Sequence, residues 1–216
     1  MSSNCFAILL GGTLRIDDRV RTLVAGARVI AADGGIRHAA PLGLLPELWV
    51  GDFDSSYDID AADWLHVPRK QFPVAKKATD GEIAVEEAIA QGADRIIMVG
   101  ALEGERSDHA GLHLLYSLVL AERGIATVLT SGEEEAVPVV PGQLEMQLPD
   151  GALFSILPYS DLKMLTIEGA RYPLKDVDID FGSSRTLSNV ATGNISIGLK
   201  SGRAVLIARP NDFTGY

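Results

Sequence analysis

The chain has 216 residues, 47% hydrophobic and 6% aromatic, with 19 Lys+Arg against 29 Asp+Glu and a formal net charge of -10. That apolar content builds a core and excludes disorder, while the acidic balance and scarce aromatics exclude a nucleic-acid backbone binder or a stacking platform for single strands. The single cysteine, Cys5, closes no internal disulfide, no Cys/His cluster offers zinc ligands, and no apolar run reaches the ~18 residues of a membrane span.

In chain order, Cys5–Leu10 reads as a buried strand, followed by a polar stretch and a helix near Val20–Ala25. Ala27–Ala32 and Leu48–Val50 are further strands, closed by Asp33-Gly34-Gly35 and by Gly51-Asp52-Phe53-Asp54. Asp80–Gln91 is a helix, its apolar Ile83, Val85, Ala88 and Ile89 set against Glu82, Glu86 and Glu87. Arg95–Val99 is a strand, Asp108–Arg123 an apolar helix ended by Gly124, and Ala126–Thr130 a strand. Continuous apolar strands alternating with helices predict a mostly parallel sheet covered by helices.

After Thr130 the helical period disappears. Pro138 and Pro141 bracket a Val-Val pair, and short runs at Leu144–Leu148, Leu153–Leu157, Lys163–Glu168, Asn194–Leu199 and Arg203–Ala208 are separated by turn residues. Such spacing predicts an all-β antiparallel sandwich. The expected organisation is an α/β lobe over residues 1–130 and a β-sandwich lobe over 131–216. The opening residues carry no basic targeting region, so a cytoplasmic protein with neither nucleic-acid nor membrane partners is expected.

Ligands of parallel sheets collect at the carboxyl ends of strands, and the chemically able residues fall there. Asp52 and Asp54 are two apart, so an extended chain turns both carboxylates the same way. At a separation of about 4 Å they repel by about 4 kcal/mol at an effective dielectric near 20. A hard cation with oxygen ligands, such as Mg²⁺, removes that penalty; a solvated Asp-rich turn is the other reading. Asp33-Gly34-Gly35 is a strand-end turn or a nucleotide contact whose glycines admit ribose or phosphate. Thr79-Asp80-Gly81-Glu82 is a capping box that accounts for Thr79 and Glu82 but does not require Asp80. Lys76 and Lys77 before that helix, and Arg106 before the next, set cations at helix N-termini where anions bind. Asp108 serves as an N-cap or a metal-site carboxylate, and His113, inside an apolar helix, reads as a core residue.

Taken in order, A-D-G-G (Ala32–Gly35), G-D-F-D-S (Gly51–Ser55), K-x-x-T-D (Lys76–Asp80), G-x-R-x-D-H (Gly104–His109) and S-N (Ser188-Asn189) closely resemble the thiamine pyrophosphokinase family over nearly the whole chain. The resemblance implies transfer of a diphosphoryl group from ATP to thiamine, giving thiamine diphosphate and AMP. It also implies Mg²⁺ and a homodimer whose active sites form between the α/β lobe of one subunit and the β lobe of its partner. Carried over by motif, Asp52, Asp54 and Asp80 hold magnesium and, with Arg106 and Asp108, form the catalytic set. Lys76, Thr79 and His109 line the ATP phosphates, Asp33, Gly34 and Gly35 lie along the nucleotide, and Ser188 and Asn189 line the thiamine pocket. Two positions depart from the family pattern: Lys77 stands where an aspartate is usual, and Gly104-Glu105 replaces a glycine pair. A diphosphokinase for another small alcohol, such as a hydroxymethyl-pterin, and a weakly active nucleotide- or thiamine-binding module are the competing readings.

Overall fold

A computed structural model describes residues 4–53, 64–72 and 78–215; Asp54, Lys76 and Lys77 lie outside the described residues. The chain divides into two compact units, one of Met1–His113 with Gly124–Gly132, the other of Leu114–Arg123 with Glu133–Tyr216.

In the first unit, β1 (Cys5–Leu9), β2 (Arg28–Ala32), β3 (Leu48–Gly51), β4 (Arg69–Gln71), β5 (Arg95–Val99) and β6 (Ala126–Thr130) form a parallel sheet in the order β6-β5-β1-β2-β3-β4. Its central strands are apolar because both faces are covered: Phe6, Ile8, Leu9, Ile30, Ile96 and Ile97 have essentially no exposed surface. Burying each such side chain contributes about 1.5–3 kcal/mol. Helix α1 (Asp18–Val24) starts where the Asp17 carboxylate accepts from the Val20 N–H at 2.8 Å. A 3-10 turn over Asp33–His38 runs into the short α2 (Ala39–Leu42).

Helix α3 (Asp80–Ala90) packs on β1, β2 and β3. Its buried stripe is Gly81, Ala84, Val85 and Ala88, with Ile83 and Ile89 only half-buried. The 3.6-residue period selects that stripe, and its small residues let the helix lie close on the strands. Helix α4 (Ser107–Glu122) contributes its first turns to this unit and its remainder to the second. Trp49 and Trp64 both pack in the core.

The chain moves from β1 outward through β2, β3 and β4, then returns to the other side of β1 for β5 and β6. The order therefore reverses between β1 and β5, the place where open α/β sheets open a crevice.

The second unit is antiparallel throughout. β7 (Glu135–Val139), β9 (Leu153–Pro158) and β13 (Ala204–Arg209) lie side by side with β13 in the middle. β8 (Gly142–Met146), β10 (Leu162–Ala170) and β11 (Leu174–Ile179) join through the long β12 (Asn189–Leu199). β12 pairs with β9 through Asn189 and Val190 and with β8 and β10 further on, so it belongs to both layers of the sandwich. Where it crosses, the Gly169 backbone has φ 70°, and a side chain there would put a Cβ 2.1 Å from the Asn194 carbonyl oxygen. Two strands carry no obvious sequence signal: β7 contains Pro138, which donates no ladder hydrogen bond, and β11 is rich in charge. Asp176 of β11 meets Thr166, and Asp178 meets Lys163, on the strand β10 beside it. Among the described residues no helix is long and apolar enough to cross a membrane.

Candidate active site

A cavity of about 1220 Å³ opens at the carboxyl ends of the parallel strands. Four segments build it: Leu10–Leu14 after β1, the turn after β2, the start of α3, and the loop from Gly100 into α4. Its floor is glycine because backbones meet there. A Cβ on Gly12 would sit 2.2 Å from the Glu103 carbonyl oxygen and 2.4 Å from that of Gly100. A Cβ on Gly35 would sit 2.1 Å from the Leu9 carbonyl oxygen. The Thr13 N–H donates to the Glu103 carbonyl at 2.8 Å, and the Ser131 hydroxyl donates to the Glu103 carboxylate at 2.8 Å, tying the β1, β5 and β6 loops together.

Of the residues singled out from sequence, Asp33, Gly34, Thr79, Asp80, Arg106 and His109 line this cavity. Asp33 opens the 3-10 turn with φ 42°, a left-handed conformation unusual for a non-glycine residue. The buried Trp49 holds it there, its indole N–H donating to the Asp33 carbonyl at 2.8 Å. Gly34 and Gly35 are buried in the same turn. Thr79 is the N-cap of α3: its hydroxyl accepts from the Glu82 N–H at 3.2 Å while the Glu82 carboxylate accepts from the Thr79 N–H at 2.8 Å. That reciprocal cap fixes Asp80 in the first turn, half-buried and facing the cavity.

Asp52 directly follows β3, half-buried and outside the cavity lining. Among the described residues no three His, Cys, Asp or Glu groups gather as a metal site. The carboxylates Asp33 and Asp80 in the lining are hard oxygen donors, which suit a hard cation such as Mg²⁺.

Arg106 and Asp108 are fully exposed and bound to one another, Nε to Oδ1 at 2.9 Å and Nη2 to Oδ2 at 2.6 Å. The arginine hydrogen bond holds the Asp108 carboxyl down at about 2. Asp108 therefore sits inside the first turn of α4, matched to Arg106, and is not the N-cap.

Two imidazoles complete the rim. His113 is buried, and its Nδ1–H donates to the Ala101 carbonyl at 2.8 Å, leaving Nε2 toward the first turn of α3. His38 donates from Nε2 to the Gly12 carbonyl at 2.9 Å, bracing the glycine loop. Burial pushes both imidazoles toward the neutral form; for His38 the neighbouring Arg37 adds to the shift, and for His113 the neighbouring His109 does so.

Sequence reasoning passed over the Gly11-Gly12-Thr13 loop. Its signal was a glycine pair immediately after the first buried strand, where a backbone turn approaches a ligand.

The second unit carries its own, smaller cavity of about 350 Å³, lined largely by Leu157, Pro158, Tyr159, Phe181 and Leu187. Ser188 adjoins this lining, exposed, with φ 54°, and its N–H donates to Ser155 Oγ at 3.0 Å. Asn189 is buried and committed to structure: its amide donates to the Tyr172 carbonyl at 2.9 Å and accepts from the Tyr172 N–H at 3.1 Å.

The first unit thus offers an open parallel sheet with a glycine-floored crevice rimmed by carboxylates, and the second an antiparallel sandwich with an apolar pocket. The sequence matches the thiamin pyrophosphokinase catalytic domain over residues 21–129 and the thiamin pyrophosphokinase vitamin B1 binding domain over residues 143–204. It is 29% identical over 170 residues to the thiamine pyrophosphokinase of Bacillus subtilis strain 168, covering 74% of this chain and 76% of that protein. In fold it is similar to the crystal structure of thiamine pyrophosphokinase from Bacillus subtilis, with a TM-score of 0.83, 23% identity, and coverage of 96% of this chain and 100% of that one. It is also similar to thiamin pyrophosphokinase from Candida albicans, with a TM-score of 0.77, 14% identity, and coverage of 97% and 90% respectively. The chain belongs to the thiamin pyrophosphokinase family of ATP-dependent diphosphotransferases.

Proposed function

We propose that this protein transfers a diphosphoryl group from ATP to the hydroxyethyl oxygen of thiamine, releasing AMP. The observation that carries the reading is the cavity itself: a glycine-floored crevice at the strand-order reversal, with Asp33 and Asp80 on its rim and room for a nucleoside triphosphate. In this reading residues 1–130 form the ATP-binding lobe and residues 131–216 the thiamine-binding lobe.

Asp33, Gly34 and Gly35 lie along the nucleotide, joined by the Gly11-Gly12 loop. Lys76, Thr79, Arg106 and His109 attend the phosphates, and Asp108 holds the Arg106 guanidinium in one orientation. Asp52, Asp54 and Asp80 are the residues that would hold magnesium, matching its preference for carboxylate oxygen. When bound, the ion neutralises phosphate charge. Thiamine takes the apolar cavity beside Leu187 and Ser188, while Asn189 supports its wall. The reaction is an in-line displacement: the alcohol oxygen bonds to the β-phosphorus, the bond from that phosphorus to the α–β bridging oxygen breaks, and AMP leaves with that oxygen. The hydroxyl proton passes to a carboxylate, Asp80 on the cavity rim or Asp52 just after β3. Positioning and charge neutralisation supply most of the acceleration in such transfers, so no covalent nucleophile is needed. A cytoplasmic homodimer completes the proposal, and sedimentation of the full chain tests the dimer.

The chain incubated with magnesium, ATP and thiamine is expected to form AMP and thiamine diphosphate in equal amounts. Thiamine bound without AMP would instead mark a binding module, and AMP formed only with a pterin alcohol would mark a different acceptor. Either result overturns the proposal.

A further inference from the structure

The cavity poses a charge problem. Asp33, Asp80, Glu82, Glu103 and Glu105 line it, so a polyphosphate meets a largely negative wall. Arg106, at the same wall, is already matched by the Asp108 carboxylate through two hydrogen bonds. The imidazoles of His38 and His113 are driven toward neutrality by burial.

Arg37 is different. It lies in the 3-10 turn after β2, exposed and lining the cavity, and its Nε–H donates to the Gly34 carbonyl at 2.7 Å. That bond fixes the plane of the guanidinium against the glycine turn. Its Nη1 and Nη2 groups have no hydrogen-bond partner, and no carboxylate pairs with it, among the described residues. An oriented guanidinium with two donor groups still available is the geometry that receives phosphate in bidentate fashion. The absence of a side chain on Gly34, also in the lining, leaves the approach open.

We propose that Arg37 grips a phosphate group of the nucleotide and adds, beside the cations already assigned to the phosphates, a fixed positive charge to this acidic cavity. The inference rests on the reading of this cavity as the nucleotide site. It assigns to Arg37 a binding role that depends on its charge and on its fork, with the Gly34 contact setting the orientation.

The test is equilibrium binding of ATP, AMP and adenosine to the full chain, comparing the wild type with Arg37→Gln and Arg37→Lys. Arg37→Gln is expected to weaken ATP binding by about ten- to a hundredfold, the range for a lost charge-assisted hydrogen bond. Adenosine, which has no phosphate, is expected to bind as before, with an unchanged melting temperature. Arg37→Lys keeps the charge but loses the fork, so it is expected to fall between the two. Loss of AMP affinity alongside ATP assigns the contact to the α-phosphate; loss for ATP alone assigns it to the outer phosphates. Unchanged ATP binding in Arg37→Gln overturns the proposal. So does an equal weakening for adenosine, which would place Arg37 on the base or ribose or make it a prop of the turn. Failure of the thiamine reaction is read separately, because these titrations contain no thiamine and need no turnover.

Discussion

The two units build cavities by opposite means. In the parallel unit every strand runs the same way, so six strand ends deliver their loops to one edge, and the crevice is made of backbone, glycine and charged side chains. In the antiparallel unit neighbouring strands alternate in direction, and the smaller cavity is walled by apolar side chains from β9 and the segment after β11. In the proposed reading the first takes the nucleotide. The second suits a small, flat, partly apolar molecule. A bisubstrate transferase needs both kinds of surface.

Removing a carboxylate from the parallel unit is the strongest way to break this contrast. Asp80→Asn keeps the Thr79–Glu82 cap intact and is expected to lower AMP formation by about a hundredfold or more, the scale seen when one preorganised charge is lost from a transfer site. Steady-state rates beside a melting curve check it, and turnover within a few-fold of wild type would remove Asp80 from the chemistry.

The complementary change lies in the second unit. Phe181, exposed at the cavity's edge, gives a ligand an aromatic face, so Phe181→Ala is expected to raise the KM for thiamine by about tenfold, the worth of one aromatic contact formed on binding. ATP binding should stay at the wild-type value. If ATP binding weakens instead, the division of labour between the two cavities is wrong.

How much of this was written in the sequence follows from the same contrast. The buried strands Cys5–Leu9 and Arg95–Val99 are legible as unbroken apolar runs, and the α3 start is legible because a capping box is local, three residues from end to end. Asp33, Asp80 and Arg106 were visible for the same reason: each follows a strand or opens a helix. What could not be read is what depends on distant segments. Pro138 hid β7, because the partner strand β13 that holds it lies about seventy residues away in the chain. The charges of β11 hid an edge strand whose pairing to β10 supplies the order. Asn189 looked like a pocket residue, yet its amide is committed to the Tyr172 turn, a contact that no local pattern announces. The role of Arg37 likewise depends on what Asp108 does to Arg106.

The smallest expected effect concerns pH. Burial lowers the folded-state affinity of His38 and His113 for protons, so the unfolded chain binds more protons just below the ordinary histidine range. The stability from these two neutral imidazoles is therefore complete above about pH 6.5 and falls as pH drops through that value. The melting temperature is expected to decline between about pH 7 and 5, and the decline should be shallower in a His38→Gln, His113→Gln double variant. An identical slope in the double variant would assign the decline to other groups.

The central claim is that the nucleotide occupies the glycine-floored crevice of the parallel unit, and filling that crevice tests it most directly. Gly11 is exposed in the lining, and a Cβ placed there meets nothing closer than the Gly35 nitrogen at 3.9 Å, so a larger side chain projects into open space without disturbing the backbone. Binding of ATP to Gly11→Leu, measured by calorimetry beside a melting curve, is expected to weaken by about tenfold or more at an unchanged melting temperature. Wild-type ATP affinity in that variant would place the nucleotide elsewhere on the protein.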